Sequence, residues 1–398
     1  MATTNLIDES NSEQTQVRGS VLVLLPASDP ARLQPVLERL ASALPAEELV
    51  VAVPGEIPNE VNGPVKVIAA PPSSTTWTLT ARDFVTAQDM AKTCAVQTLL
   101  ILGPEAESLS PAGIRDLAIT VQTTSTDLAI PRYVLPPGAG LVNSAILYPL
   151  SRSLFSTRIR FPLPIDLGLS MPMAERLANI AQRLVSANQG DSPLWVVNEA
   201  AVAGRATEEI DAGTRELPQP KDSGLNVILP LVTASLFSDI EGKAAFWQRA
   251  RITPPAARHW PSMSRAPSES AADVSSMIQA FRIANTNLQE IWSLILPPNS
   301  MLGLKRLARV EGDAFRMPDQ LWARVVFDFL IAYRLRTLNR GHLLGALVPL
   351  YLGWVAGHIN SIVAGGDPER HIEALATAFE TDKAYLVSRW RWPDRFNP

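Results

Sequence analysis

Short apolar runs alternate with helical patterns through the first half of the chain. The runs at residues 20–25, 49–53, 65–69, 97–102, 128–132 and 194–197 predict strands, and those at 20–25 and 97–102 are expected to be buried on both faces. Apolar residues spaced three or four apart predict helices at 31–44, 80–93, 141–154 and 198–203. Strands that alternate with helices indicate an α/β fold with a doubly wound, mostly parallel sheet.

Beyond residue 225 the pattern becomes helical throughout. Helices are predicted at 227–251, 271–296, 318–338, 343–364 and 368–387, and seven tryptophans lie in this part of the chain, most of them at positions expected to form a core. We therefore predict a disordered tail at 1–18, an α/β domain at 19–225 and a helical subdomain at 226–398. The Ser/Pro-rich stretch 261–270 is predicted to be a loop between helices.

Composition narrows the possible classes of protein. Hydrophobic residues make up 46% of the chain and charged residues 19%, which is typical of a folded protein, and the net charge of −4 gives no reason to expect nucleic acid. The single cysteine, Cys94, allows neither an internal disulfide nor a cysteine-based zinc site and is expected in the core. The N-terminus does not have the pattern of a signal peptide, and no apolar stretch is long and uninterrupted enough to predict a membrane span. The expected location is the cytoplasm.

Several separated segments share the order and spacing of a known family. They are 131–133 (Pro-Arg-Tyr), 141–155, 158–170, 220–222 (Pro-Lys-Asp), 322–333, 349–353 and 379–390. Together they resemble the bacterial glucosylglycerate and mannosylglycerate synthases, which are retaining glycosyltransferases. The resemblance implies a GT-A-like sheet of the nucleotide-diphospho-sugar transferase type with a helical C-terminal subdomain. It also implies a nucleotide sugar as donor, a small hydroxy acid such as glycerate as acceptor, and a homo-oligomer.

The metal ligands that the family uses are largely replaced. Where the family has Asp-x-Asp this chain has Gly103-Pro104-Glu105, and Pro218 stands where the family has a histidine. Divalent cations such as Mg²⁺ and Mn²⁺ prefer carboxylate oxygens, and proline offers no side-chain ligand. Glu105 and Glu107 therefore have two interpretations: a weak Mg²⁺ or Mn²⁺ site, or solvated loop carboxylates.

The other candidate binding residues also have two interpretations each. On the nucleotide side, Asp29 is expected either to contact a ribose or to cap the next helix. Arg82 either binds phosphate or is a solvated residue at a helix start. On the acceptor side, Arg158 and Arg160 suit a phosphate or a glycerate carboxylate, or form structural ion pairs.

Asp166 is the candidate catalytic residue. It matches the aspartate of the family's Gly-Gly-Asp loop, although both glycines are replaced here, by Pro164 and Ile165. The alternative is a loop aspartate that caps the helix near Ser170.

Two functions follow from these residues. The first is a glycosyltransferase that transfers a hexose from a nucleotide sugar to a small hydroxy acid, with Asp166, Glu105 and Arg82 at its centre. The second is a catalytically inactive paralogue that acts by binding, as a regulator or as the partner of an active relative. Convergence of Glu105, Glu107, Asp166 and Arg82 on one cleft would favour the enzyme, and closure of that cleft by Pro164, Ile165 and Pro218 would favour the binding protein.

Overall fold

The computed structural model describes residues 20–57, 63–123, 125–135, 138–218, 224–250 and 274–393. The predicted tail at 1–18 and the predicted loop at 261–270 lie outside these ranges, as do the Pro-Lys-Asp segment at 220–222 and Trp260.

The described part of the chain contains one seven-stranded sheet, with strand order β3-β2-β1-β4-β6-β5-β7. The β6 strand runs antiparallel to both of its neighbours, β4 and β5, and every other pair is parallel. The strands are β1 (Val21–Leu24), β2 (Leu49–Pro54), β3 (Lys66–Ala70), β4 (Thr98–Leu102), β5 (Leu128–Val134), β6 (Asp166–Ser170) and β7 (Thr207–Thr214). The predicted α/β class with a mostly parallel sheet is confirmed.

The prediction differs from the structure at three strands, and it did not include the helix Pro111–Thr123. The predicted strand at 194–197 is wrong: Pro193 forms only an isolated bridge to Thr80, and a helix begins at Val196. The β6 strand was predicted to be a loop, and β7 was not predicted. The β7 sequence is rich in polar residues, and it is a strand because β5 lies beside it over seven residues.

Helices cover both faces of the sheet, which confirms the doubly wound arrangement. In β1, Val21 and Val23 point into one core and Leu22 and Leu24 into the other, as the alternation of a strand requires. The flanking helices are α1 (Leu33–Ala43), α2 (Ala81–Cys94), α3 (Pro111–Thr123), α4 (Tyr148–Phe155), α5 (Met171–Ser186) and α6 (Val196–Ala203). The first core contains residues of α1 and α3, and the second contains residues of α2, α5 and α6. Cys94 is partly buried against the second core.

The remaining helices form a separate and larger core with α4. They are α7 (Leu225–Gly242), α8 (Ala244–Trp247), α9 (Val274–Asn287), α10 (Gln289–Ser293), α11 (Pro298–Leu307), α12 (Asp319–Leu335), α13 (Arg340–Gly345), α14 (Val348–Val363), α15 (Pro368–Thr381) and α16 (Lys383–Arg391). The predicted helical C-terminal region is confirmed, with α11 as an addition. Trp247, Trp292, Trp322 and Trp354 are fully buried in this core, whereas Trp392 is 62% exposed.

Within the residues that the structure describes, two helical stretches are long and apolar enough to cross a membrane by length and composition, namely Leu225–Gly242 and Arg340–Val363. A buried core helix passes the same test. The second stretch is two helices, α13 and α14, and 67% of its most apolar 18 residues are buried inside the protein.

Candidate functional site

Four elements bring polar groups together at one edge of the sheet. The carboxyl ends of β4, β5 and β7 meet there, and antiparallel β6 begins there with Asp166, which is paired with Leu102. Gly103 follows β4, Tyr133 lies near the end of β5, and Arg215 follows β7 directly. This edge is where an open α/β sheet binds its ligand.

Asp166 is fully buried and all of its acceptor positions are used by the protein. Its Oδ1 accepts hydrogen bonds from the backbone N of Gly103 at 3.0 Å and from Arg215 Nη2 at 3.1 Å. Its Oδ2 accepts from Tyr133 Oη at 2.7 Å and from Arg215 Nε at 2.9 Å. Burial and the adjacent Asp166 carboxylate raise the pKa of Tyr133, so this hydroxyl stays a donor. The alternative interpretation of Asp166 as a helix cap is wrong, because Asp166 is the first residue of β6. Ser170 itself caps the helix that follows it by accepting a hydrogen bond from Met173 N.

Arg215 is the counter-ion of Asp166, and its side chain has no exposed surface. Its Nη2 also donates to the Pro104 carbonyl at 2.6 Å, and its Nη1 donates to Ser108 Oγ and to the carbonyls of Glu105 and Glu216. Every nitrogen of the guanidinium therefore has a fixed partner. The pKa of Arg215 is raised because the Asp166 carboxylate outweighs the effect of burial.

Glu105 and Glu107 share a second arginine. Arg32 Nη1 donates to both carboxylates, at 2.6 Å for Glu107, and the Arg32 side chain is 52% exposed. The hydrogen bonds from the Glu107 backbone and from Arg32 outweigh the effect of burial and lower the pKa of Glu107. Glu105 has a left-handed backbone (φ 61°), so its carbonyl reaches Arg215 while its side chain reaches Arg32.

The loop before Asp166 lies directly against the end of β4. A Cβ atom on Gly103 would stand 2.7 Å from the Ile165 carbonyl oxygen and 3.1 Å from the Ile165 Cβ. Pro164 and Ile165 are both buried. Ile165 therefore fills the space beside the end of β4.

Asp29 and Arg82, both within the described ranges, form no hydrogen bond or ion pair with Asp166, Glu105 or Glu107. Asp29 accepts a hydrogen bond from Ala31 N at 3.0 Å and caps a short 3₁₀ helix at Pro30–Arg32, as its alternative interpretation stated. Arg82, on α2, pairs with Asp191 at 3.0 Å, and both side chains are at least half exposed.

Arg160 contacts the helical region. It is buried and pairs with Glu369 of α15 at 3.2 Å, and its guanidinium lies over the rings of Tyr148 and Phe161. This is the structural ion pair of its alternative interpretation. Arg158, two residues earlier, is half-buried.

These residues do not fit a divalent cation. Glu105 and Glu107 already share one guanidinium, Asp166 has four donors, and Pro218 has no ligand atom. In the ranges that the structure describes, no three His, Cys, Asp or Glu side chains stand together as a metal site. Sequence reasoning missed Arg32 and Arg215, although the position of Arg215 directly after a strand at this edge was a usable signal.

Comparison with known proteins gives only distant structural likenesses. No protein-family model and no curated protein sequence matches the chain. A crystal structure of a mycobacterial protein is 13% identical with a TM-score of 0.37, and covers 56% of this chain and 74% of its own. The glucosyl-3-phosphoglycerate synthase of Mycobacterium tuberculosis is 14% identical with TM-scores of 0.35 to 0.36, over 55% of this chain and 79% of its own.

That synthase was solved with Mn²⁺, UDP-glucose and phosphoglyceric acid, and also with Mg²⁺ and UDP. TM-scores and identities this low carry no argument about this chain, so its fold assignment rests on its own sheet order and helices.

Proposed function

We propose that this chain is a glycosyltransferase-like protein without a metal-dependent donor site, which acts as a binding or regulatory partner. One observation supports the proposal: the predicted catalytic carboxylate and both predicted metal ligands are already paired with arginines of the chain. Asp166 is paired with Arg215, and Glu105 and Glu107 are paired with Arg32.

Neither arginine is placed to take over the role of the cation. A metal or a free guanidinium assists sugar transfer by neutralising the charge that develops on the departing diphosphate. Arg215 has no exposed surface and no free nitrogen, so it has no donor left for a phosphate oxygen. Arg32 is exposed, but two carboxylates already oppose its charge.

Thermal unfolding of the full chain with UDP- and GDP-sugars, each with Mg²⁺, Mn²⁺ or a chelator, tests the proposal. A ligand that binds only the native state at a hundred times its dissociation constant adds about 2.7 kcal/mol of stability. We expect no metal-dependent change in melting temperature at millimolar donor. A rise that requires both the sugar nucleotide and the metal would contradict the proposal and support the hexosyltransferase.

A further inference from the structure

Two histidines form a buried pair in the helical region. His358 of α14 and His371 of α15 place their Nδ1 atoms 2.7 Å apart, and His358 is 2% exposed. Both imidazoles stack on the Trp354 ring, with centroid distances of 5.1 and 6.0 Å. Two nitrogens this close must have one proton between them, since two lone pairs or two N–H groups would repel each other.

Asp319, at the start of α12, fixes which nitrogen of His371 carries the proton. Its Oδ1 lies 3.1 Å from His371 Nε2, and a carboxylate only accepts hydrogen bonds. His371 therefore carries a hydrogen on Nε2, and in its neutral form presents a lone pair at Nδ1. His358 must then donate from Nδ1, so both tautomers of the neutral pair are determined.

Adding one proton to the pair requires a second change. A hydrogen on His371 Nδ1 faces the hydrogen on His358 Nδ1, so His358 must move its own hydrogen to Nε2. The His371 imidazolium then donates to Asp319 on one side and to His358 on the other, and both bonds are charge-assisted. A second added proton would place a hydrogen on the Nδ1 atom of both rings, and these two N–H groups would repel each other.

The surroundings of His358 disfavour a charge on that ring. Burial, followed by His371 and the Arg160 guanidinium, lowers the pKa of His358 to about 3. The negative groups nearby are Asp319, which contacts His371, and Glu369, which is occupied by Arg160. The added proton therefore belongs on His371.

One member of the pair, His371, lies on α15, and ion pairs connect this helix to α4 and to the loop between α4 and β6. Glu369 and Glu373 of α15 flank His371 in sequence, and they bind Arg160 at 3.2 Å and Arg152 at 2.5 Å. We propose that His358 and His371 form a pH-sensitive joint that takes up one proton on His371 as the pH falls and so holds α15 more firmly to α12. An ion pair between the His371 imidazolium and the Asp319 carboxylate then replaces a hydrogen bond from a neutral imidazole.

Long-range ¹H–¹⁵N correlation spectra of the full chain with ¹⁵N-labelled histidine test this joint between pH 8 and pH 5. His358→Gln and His371→Gln assign the signals, and His342→Gln, at an exposed position on α13, is the matched control. At pH 8 we expect the Nδ1–H tautomer at His358 and the Nε2–H tautomer at His371. At pH 5 we expect an imidazolium at His371 and the Nε2–H tautomer at His358.

Asp319→Asn keeps both imidazoles and provides a second test if a histidine variant fails to fold. We expect it to weaken proton uptake by His371 about tenfold, because the imidazolium loses its carboxylate. Three results would overturn the proposal: His371 stays neutral at pH 5, both rings become charged, or His371 titrates while the His358 tautomer stays the same.

Discussion

The two arginines at the edge of the sheet neutralise carboxylates in opposite surroundings. Arg215 has no exposed surface and uses all three nitrogens on fixed acceptors, whereas Arg32 is half exposed and uses one nitrogen on two carboxylates. Removing one partner of a buried pair leaves an uncompensated charge, while water and salt screen an exposed pair. Arg215 is therefore part of the folded core, and Arg32 is an exposed counter-ion whose pairing contributes little to stability.

Arg215→Ala should give the largest loss of stability. It leaves Asp166 buried without its counter-ion, which costs roughly 3–5 kcal/mol of the free energy of unfolding. Urea unfolding measures this loss. Arg205→Ala is the matched control, since Arg205 pairs with Asp127 at 3.5 Å and is 39% exposed, and it should cost less than about 1 kcal/mol. Equal losses in the two variants would contradict the distinction between a buried and an exposed arginine.

Replacing both buried partners sharpens this comparison. Arg215→Met combined with Asp166→Leu removes both charges, and a well-packed apolar pair is often neutral relative to a buried ion pair. We expect the double variant to recover at least half of the stability that Arg215→Ala loses. A double variant that is no more stable than Arg215→Ala would show that the backbone contacts of Arg215 carry its effect, rather than its charge.

Gly103→Ala should have an intermediate effect. The added methyl group meets the Ile165 backbone at 2.7 Å, and overpacking of this kind costs about 1–3 kcal/mol. It also displaces the Gly103 N–H that donates to Asp166. Gly242→Ala, at a helix end with open space around it, is the control and should leave the urea midpoint within error. An unchanged midpoint for Gly103→Ala would mean that Ile165 does not close the end of β4.

Arg32→Ala should have the smallest effect on unfolding and a visible effect on metal binding. It frees Glu105 and Glu107 from their shared guanidinium, and two neighbouring carboxylates are suitable ligands for Mn²⁺. The amplitude of the free Mn²⁺ spectrum in electron paramagnetic resonance measures binding, which should become at least tenfold tighter than in the wild type. Arg82→Ala, which breaks an exposed pair away from this site, should leave Mn²⁺ binding unchanged.

The sheet and the helices were largely predictable because their apolar patterns are local. Five strands and the helical C-terminal region follow from runs and spacings in the sequence. The β7 strand could not be predicted, because its polar residues become a strand only beside β5. The π-helical turn at Asn143–Leu147 lies inside the predicted helix 141–154, and nothing in the sequence pattern marks it.

The candidate site was only half predictable, for a different reason. The resemblance identified Asp166, Glu105 and Glu107 as the polar residues at the edge of the sheet, and all three lie there. It could not identify their partners, because Arg215 is 49 residues from Asp166 in sequence and Arg32 is 73 residues from Glu105. Pairing over such separations depends on the order of the strands, which local patterns do not contain.

A Mn²⁺ titration of the wild-type protein in the presence of UDP tests the central claim most directly, namely that arginines of the chain already occupy the carboxylates that a cation would need. Electron paramagnetic resonance of free Mn²⁺ is compared with the same titration of UDP without protein. We predict that the two curves coincide at millimolar Mn²⁺. A stoichiometric loss of free Mn²⁺ that requires the protein, and that disappears in Asp166→Asn or Glu105→Gln, would contradict the account.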